Sequence, residues 1–162
     1  LIAHLQNIGC NRVFLVGTTG MREMLEGSGI VIDTESPEIV VLGYDTEINY
    51  DKISTAAIHL QRGVPMVASH PDMVCPSPDG GLPDTGAYMA MFEAATGVRP
   101  IHICGKPQPG MIAHQIQRLG LEPSQCACVW AKGLLGRVFL MGAGVGLLSM
   151  AVYHGWPGPL CY

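Results

Sequence analysis

The chain of 162 residues is 48% hydrophobic and 14% charged, enough to bury a sizeable core in one domain or in one domain plus part of another. Its net charge of −4 gives no support to a nucleic-acid partner. The six cysteines lack metal or redox spacing, since the closest pair, Cys126 and Cys128, alternates along a strand pattern; they read as reduced packing thiols of a cytoplasmic protein.

Leu1, Ile2, Leu5 and Ile8 form a short helical stripe stopped by Gly9, with neither a cleavable signal nor an initiator methionine ahead of it, which reads as a fragment. Arg12 to Val16 is an apolar strand. Gly17, Thr18 and Thr19 turn it into a helix from about Gly20 to Glu26, with Thr18 or Thr19 as the cap. Short strands follow at Ile30 to Ile32 and Pro37 to Leu42. Asn49 caps a helix from Tyr50 to Gln61, and Pro65 to Ser69 is the next strand. A long loop rich in Pro, Asp and Gly spans His70 to Asp84, and a helix spans Thr85 to Ala95. The alternation predicts an α/β fold with a mainly parallel sheet, flanking helices and right-handed crossovers. The first βα turn, VFLVGTTGMREML, lacks the G-x-G-x-x-G spacing and reads as an ordinary strand-to-helix turn.

Val98 to Met111, VRPIHICGKPQPGM, predicts a buried strand from Ile101 to Cys104, a tight turn carrying Lys106, and a helix from Met111 to Gly120. A lysine at the carboxyl end of a strand stands where open α/β sheets bind ligands. On spacing alone, a solvated turn lysine fits as well. Beyond Glu122 there is no Asp or Glu. Val138 to Tyr153 is apolar and Gly-rich but shorter than the roughly 20 residues of a membrane span, so a buried strand-and-turn segment is expected rather than a span.

Four blocks in order resemble the haloacid dehalogenase superfamily, in particular its NagD-like and 4-nitrophenylphosphatase-like branch. They are VVLGYDTEINYDKI (Val40 to Ile53), MVASHPD (Met66 to Asp72, where the family commonly has Thr-Asn-Pro-Asp), LPDTGAYMAMFEAATGVRP (Leu82 to Pro100), and ICGKPQPGM (Ile103 to Met111) followed by RLGLEPSQC. The resemblance covers about Leu1 to Cys126. It implies an α/β cap domain over residues 1–98 and a partial return to a Rossmann-like core over 99–128. Residues 129–162 then form a divergent apolar Gly-rich tail. It also implies magnesium-assisted hydrolysis of a small phosphorylated substrate through a phosphoaspartyl enzyme, with Lys106 as the family's catalytic lysine. The loop with His70 and Asp72 would face the substrate from the cap; Asp72 as a loop cap and His70 as a merely polar residue fit the residues equally. Asp45 reads as structural, holding its turn. The cap also offers a surface for homo-oligomerisation.

The departures are definite. No Asp-x-Asp occurs, and after QCACV, where the family has a Gly-Asp, the residues are Trp130, Ala131, Lys132 and Gly133. Magnesium needs oxygen ligands, typically carboxylates, so no metal residue is assigned in this sequence. The expectation is a partial gene product, inactive alone, whose tail leaves the family sequence near Val129. The alternatives are a noncatalytic α/β binding module derived from the cap and, below it, a membrane-associated protein using Val138 to Tyr153.

Overall fold

The computed structural model describes residues 1–105, 110–122, 127–132, 135–140 and 149–154, and divides into two compact units, Leu1–Gln108 and Pro109–Tyr162. In the first unit the elements run α1 (Ile2–Asn7), β1 (Arg12–Val16), α2 (Thr19–Gly27), β2 (Val31–Ile32), β3 (Ile39–Leu42), α3 (Tyr50–Gln61), β4 (Met66–Ala68), β5 (Val74–Ser77), β6 (Gly80–Pro83), α4 (Thr85–Thr96) and β7 (His102–Ile103). Five strands form one parallel sheet in the order β2-β1-β3-β4-β7.

Strand pleating sorts the core into two layers, because successive side chains point to opposite faces. Val13, Leu15, Ile39, Val41 and Val67 pack with Leu5 of α1 and Leu25 of α2. Phe14, Val16, Val40, Leu42, Met66 and Ala68 pack on the other face with Ala56 and Leu60 of α3 and Phe92 of α4. β3 is buried at every position, Ile39 to Leu42, as expected of a central parallel strand covered on both faces. Thr18 caps α2 through its side chain and Asn49 caps α3, each accepting a backbone N–H three residues on.

One expectation meets a different structure. The loop expected over His70 to Asp84 contains an antiparallel hairpin, β5 with β6, in which Ser77 pairs with Gly80 and Val74 with Pro83. Its signal is the turn Pro78-Asp79-Gly80 between two short runs. Pro76 and Pro83 masked it, because a proline argues against a strand unless the strand is an edge, and an isolated two-stranded pair is all edge. β7 joins the sheet by parallel pairing of His102 with Val67 and Ile103 with Ala68.

In the second unit, α5 (Gly110–Arg118) occupies the predicted helix, and β8 (Ala127–Lys132), β9 (Leu135–Leu140) and β10 (Ser149–His154) form an antiparallel sheet in the order β10-β9-β8. The apolar stretch from Val138 to Tyr153 thus contributes strand at both ends, and β8 runs straight across Val129. Among the described residues no helix is long and apolar enough to cross a membrane.

Candidate functional site

In a sheet of this order, connections reverse between β1 and β3, and the crevice at the carboxyl ends of those strands is the usual ligand position. Here the protein's own side chains occupy that crevice. The Glu47 carboxylate accepts from the Thr19 backbone N–H at 3.1 Å and from Thr19 Oγ1 at 2.7 Å, at the amino end of α2. An anion is favoured at that helix end. The Thr19 hydroxyl first, then its N–H, hold the Glu47 carboxyl below the usual carboxylate range. Beside it, Lys52 Nζ from the first turn of α3 donates to Gly17 O at 3.0 Å and to Asp45 Oδ2 at 3.0 Å. Asp45 is fully buried, and its Oδ1 also accepts the Glu47 N–H at 2.8 Å. Tyr88 on α4 donates to the Asp45 carbonyl. These contacts place Asp45 in a structural knot at the turn.

The open chemistry lies one strand further along, at the end of β4. His70 Nδ1 lies 2.8 Å from Ser69 Oγ, and His70 Nε2 lies 2.8 Å from Asp84 Oδ1. An ionised carboxylate only accepts, so a neutral His70 carries its proton on Nε2, donates to Asp84, and accepts from the Ser69 hydroxyl. Asp84 is the N-cap of α4: Oδ1 also accepts the Thr85 N–H at 2.6 Å and the Thr85 hydroxyl at 3.2 Å. Asp84 and Thr85 are buried, whereas His70 and Asp72 are half-buried.

The backbone fixes this arrangement. The Asp84 N–H donates to Met73 O and the Gly86 N–H to Asp72 O, pinning the loop after β4 onto the first turn of α4. A Cβ added to Gly86 would lie 2.5 Å from Pro71 O, so only glycine permits this approach. Gly105 closes the other side, since a Cβ there would lie 2.5 Å from His70 Cβ and 2.7 Å from Ser69 O. Burial raises the Tyr44 and Tyr88 hydroxyls above their ordinary value; Cys75 adds to the Tyr44 shift and Asp45 to that of Tyr88, with Asp84 a smaller cause for both.

Of the residues singled out from sequence, His70 and Asp72 therefore come together with an acidic partner, and Lys106 lies outside the described residues, directly after Gly105. Sequence reasoning missed Ser69, Asp84 and Thr85. The available signal was Asp84-Thr85-Gly86 ahead of an apolar helical run, an N-cap pattern that ties Asp84 to a helix rather than to a loop.

The fold and this cluster define a doubly wound α/β unit with its polar site at the carboxyl ends of β4 and β7. No family model matches the chain. The chain is 31% identical over 144 residues to acid sugar phosphatases of Staphylococcus epidermidis and Staphylococcus aureus, matching 88% of its own length and 54% of theirs. Among solved structures it is similar to a protein assigned as nagD, with a TM-score of 0.73 and 40% identity over 76% of this chain and 49% of that one. It is similar also to a 4-nitrophenylphosphatase from Thermotoga maritima, with a TM-score of 0.72 and 40% identity over 75% and 47%. The chain spans about half the length of the curated relatives it matches. It belongs to the haloacid dehalogenase superfamily, in its NagD-like branch.

The residues present do not fit the magnesium site that the resemblance implies. The Asp-x-Asp and Gly-Asp carboxylates are not in this sequence. Among the described residues, the group that could hold a metal ion is His70, Asp72 and Asp84. It offers an imidazole and two carboxylates, whereas magnesium demands oxygen and keeps several waters.

Proposed function

We propose that this chain supplies the cap and the lysine segment of a phosphomonoester phosphatase, with His70 and Asp72 facing a small phosphorylated substrate and Lys106 as the catalytic cation. One observation carries the reading. His70, in the MVASHPD block, packs against Gly105, the residue ahead of Lys106 in the ICGKPQPGM block, so two motif blocks distant in sequence meet at one sheet end. The relatives that the chain matches are an acid sugar phosphatase and a 4-nitrophenylphosphatase by name. A fixed ammonium in a dry site stabilises charge developing on phosphoryl oxygens. Covalent catalysis also requires a nucleophile, and the Asp-x-Asp that would supply it is not in these 162 residues. On this reading the chain alone does not turn over 4-nitrophenyl phosphate, and magnesium belongs to the carboxylates of the assembled enzyme.

The test is a graft. Residues 1–105 replace the corresponding segment of the Thermotoga maritima 4-nitrophenylphosphatase, and turnover is measured for 4-nitrophenyl phosphate and a panel of sugar phosphates. The expected outcome is a folded, active chimera with a changed substrate profile. A chimera that folds but keeps the parent's profile unchanged would remove the substrate-facing role, and magnesium-dependent turnover by the purified chain itself would contradict the division of labour.

A further inference from the structure

The cluster at the end of β4 carries an inference that stands apart from the phosphatase reading: we propose that His70, Asp72 and Asp84 form a binding site for a divalent transition-metal ion of the zinc type. One ligand atom from each residue lies within 4.8 Å of the others, close enough for a single ion to join them. The charge is complementary, since a neutral imidazole and two carboxylates carry −2 against a dication. The ligand set is a borderline one; imidazole suits zinc and its neighbours, and carboxylate oxygens complete a tetrahedral or five-coordinate shell with water.

Three features of the structure set the cluster apart from a chance meeting of surface acids. Its parts are anchored before any ion arrives. His70 lies two residues past the end of β4, Asp84 is the buried cap of α4, and the Asp72 backbone is held to α4 through the Gly86 N–H. Among the described residues, the Asp72 carboxylate has no hydrogen bond or ion pair, although an oxygen of it stands beside the His70–Asp84 pair. The third feature is the partner of the other ring nitrogen. A metal-bound histidine holds its second N–H to an acceptor, and Ser69 Oγ is already 2.8 Å from Nδ1. On binding, the imidazole proton moves from Nε2 to Nδ1 through solvent, Nδ1–H donates to Ser69 Oγ, and Nε2 turns its lone pair to the ion in place of its bond to Asp84. The exchange requires a tautomer change and a small widening of the 2.8 Å Nε2–Oδ1 separation.

The experiment titrates the full chain with zinc chloride, and with cobalt chloride as an optical probe, monitored by calorimetry and by the 15N resonances of His70. The expected result is saturable one-to-one binding in which His70 shifts to the Nδ1–H tautomer, with no saturation by magnesium at the same concentration. By calorimetry, His70→Asn should abolish saturable zinc binding and Asp72→Asn should weaken it at least tenfold. Neither removes the α4 cap, so folding is retained. Ser69→Ala should weaken binding by about 10–100-fold, the usual effect of losing a partner that orients a ligand. Failure to saturate with zinc overturns the proposal. So does binding that survives both His70→Asn and Asp72→Asn, because the ion would then sit on other histidines or thiols.

Discussion

Lys52 Nζ stands 3.0 Å from Asp45 Oδ2, joining the first turn of α3 to a carboxylate that has no solvent exposure at the end of β3. The lysine keeps about a fifth of its surface in water, so the pair is buried on one side only. Breaking a buried pair by removing one partner costs about 3–5 kcal/mol, because the other charge is left without compensation. Lys52→Met should therefore cost about 3 kcal/mol, at the low end, since among the described residues Asp45 retains only its bond from the Glu47 N–H to stabilise its charge. Asp45→Asn combined with Lys52→Met should recover part of that loss by removing the stranded charge. Urea unfolding of the two single variants and the double gives the coupling. Strictly additive losses would show that the pair is not an energetic unit.

Asp84 has two duties that substitution can separate. It caps α4 and it orients His70. Asp84→Ala should lose the cap, about 1 kcal/mol, and should leave His70 as a mixture of tautomers. Asp84→Ser keeps a capping oxygen and should restore most of the stability, but not the fixed tautomer, because a hydroxyl is no charged acceptor. Thermal unfolding and the 15N shifts of His70 read the two effects independently. If Asp84→Ser restores both, the carboxylate charge has no part in orienting the ring.

The stacked rings of His4 and His102, with centroids 3.9 Å apart and planes 10° from parallel, join α1 to β7. Burial first, then the charge of His102 and of the Leu1 ammonium, push the His4 value below its ordinary 6.5. A lowered folded-state value means that the unfolded chain binds the proton more readily. The contribution is whole above about pH 6.5 and is lost as pH falls through that value toward the lower, folded one. The unfolding temperature should accordingly drop between pH 7 and pH 5, and His4→Phe should flatten that part of the profile while retaining an aromatic stack. An unchanged slope in His4→Phe would place the pH dependence elsewhere.

The sequence carried the fold well where burial and capping agree. Ile39 to Leu42 is apolar at every position and proved to be a strand buried at every position, and Asn49 marks the start of α3 because its side chain has a free backbone N–H to accept. It carried less where tertiary pairing decides. β5 and β6 contain prolines and, among the described residues, pair only with each other, so neither propensity nor periodicity announces them. The site was half legible for a similar reason. His70 and Asp72 stand in a recognisable block, whereas Asp84 comes to them only because the hairpin folds the chain back and the Asp84 N–H reaches Met73 O. Local pattern identifies the cap; it does not report which histidine the cap's carboxylate will meet.

Lys106 and Asp72 should fail in different ways when altered in an active chimera that carries residues 1–126 of this chain on the remaining segments of a related phosphatase. Lys106 follows the buried Gly105 and precedes Pro107 in the sequence. In the proposed role its ammonium is a compact charge between a carboxylate and a phosphoryl oxygen, and losing one such preorganised contact costs roughly 3 kcal/mol, or about a hundredfold or more in rate. Lys106→Ala should therefore lower kcat for every phosphomonoester, and Lys106→Arg should not fully restore it, because guanidinium is a wider planar fork. Asp72 stands on the loop after β4, remote from the phosphorus in this reading. Asp72→Ala should change the ranking of substrates by kcat/KM more than the rate common to them all, since specificity is the difference between substrates in transition-state binding. The measurement is kcat and kcat/KM for 4-nitrophenyl phosphate and several sugar phosphates on each variant. Near-normal turnover in Lys106→Ala would remove the lysine from the site, and an Asp72→Ala loss equal across all substrates would remove the specificity role.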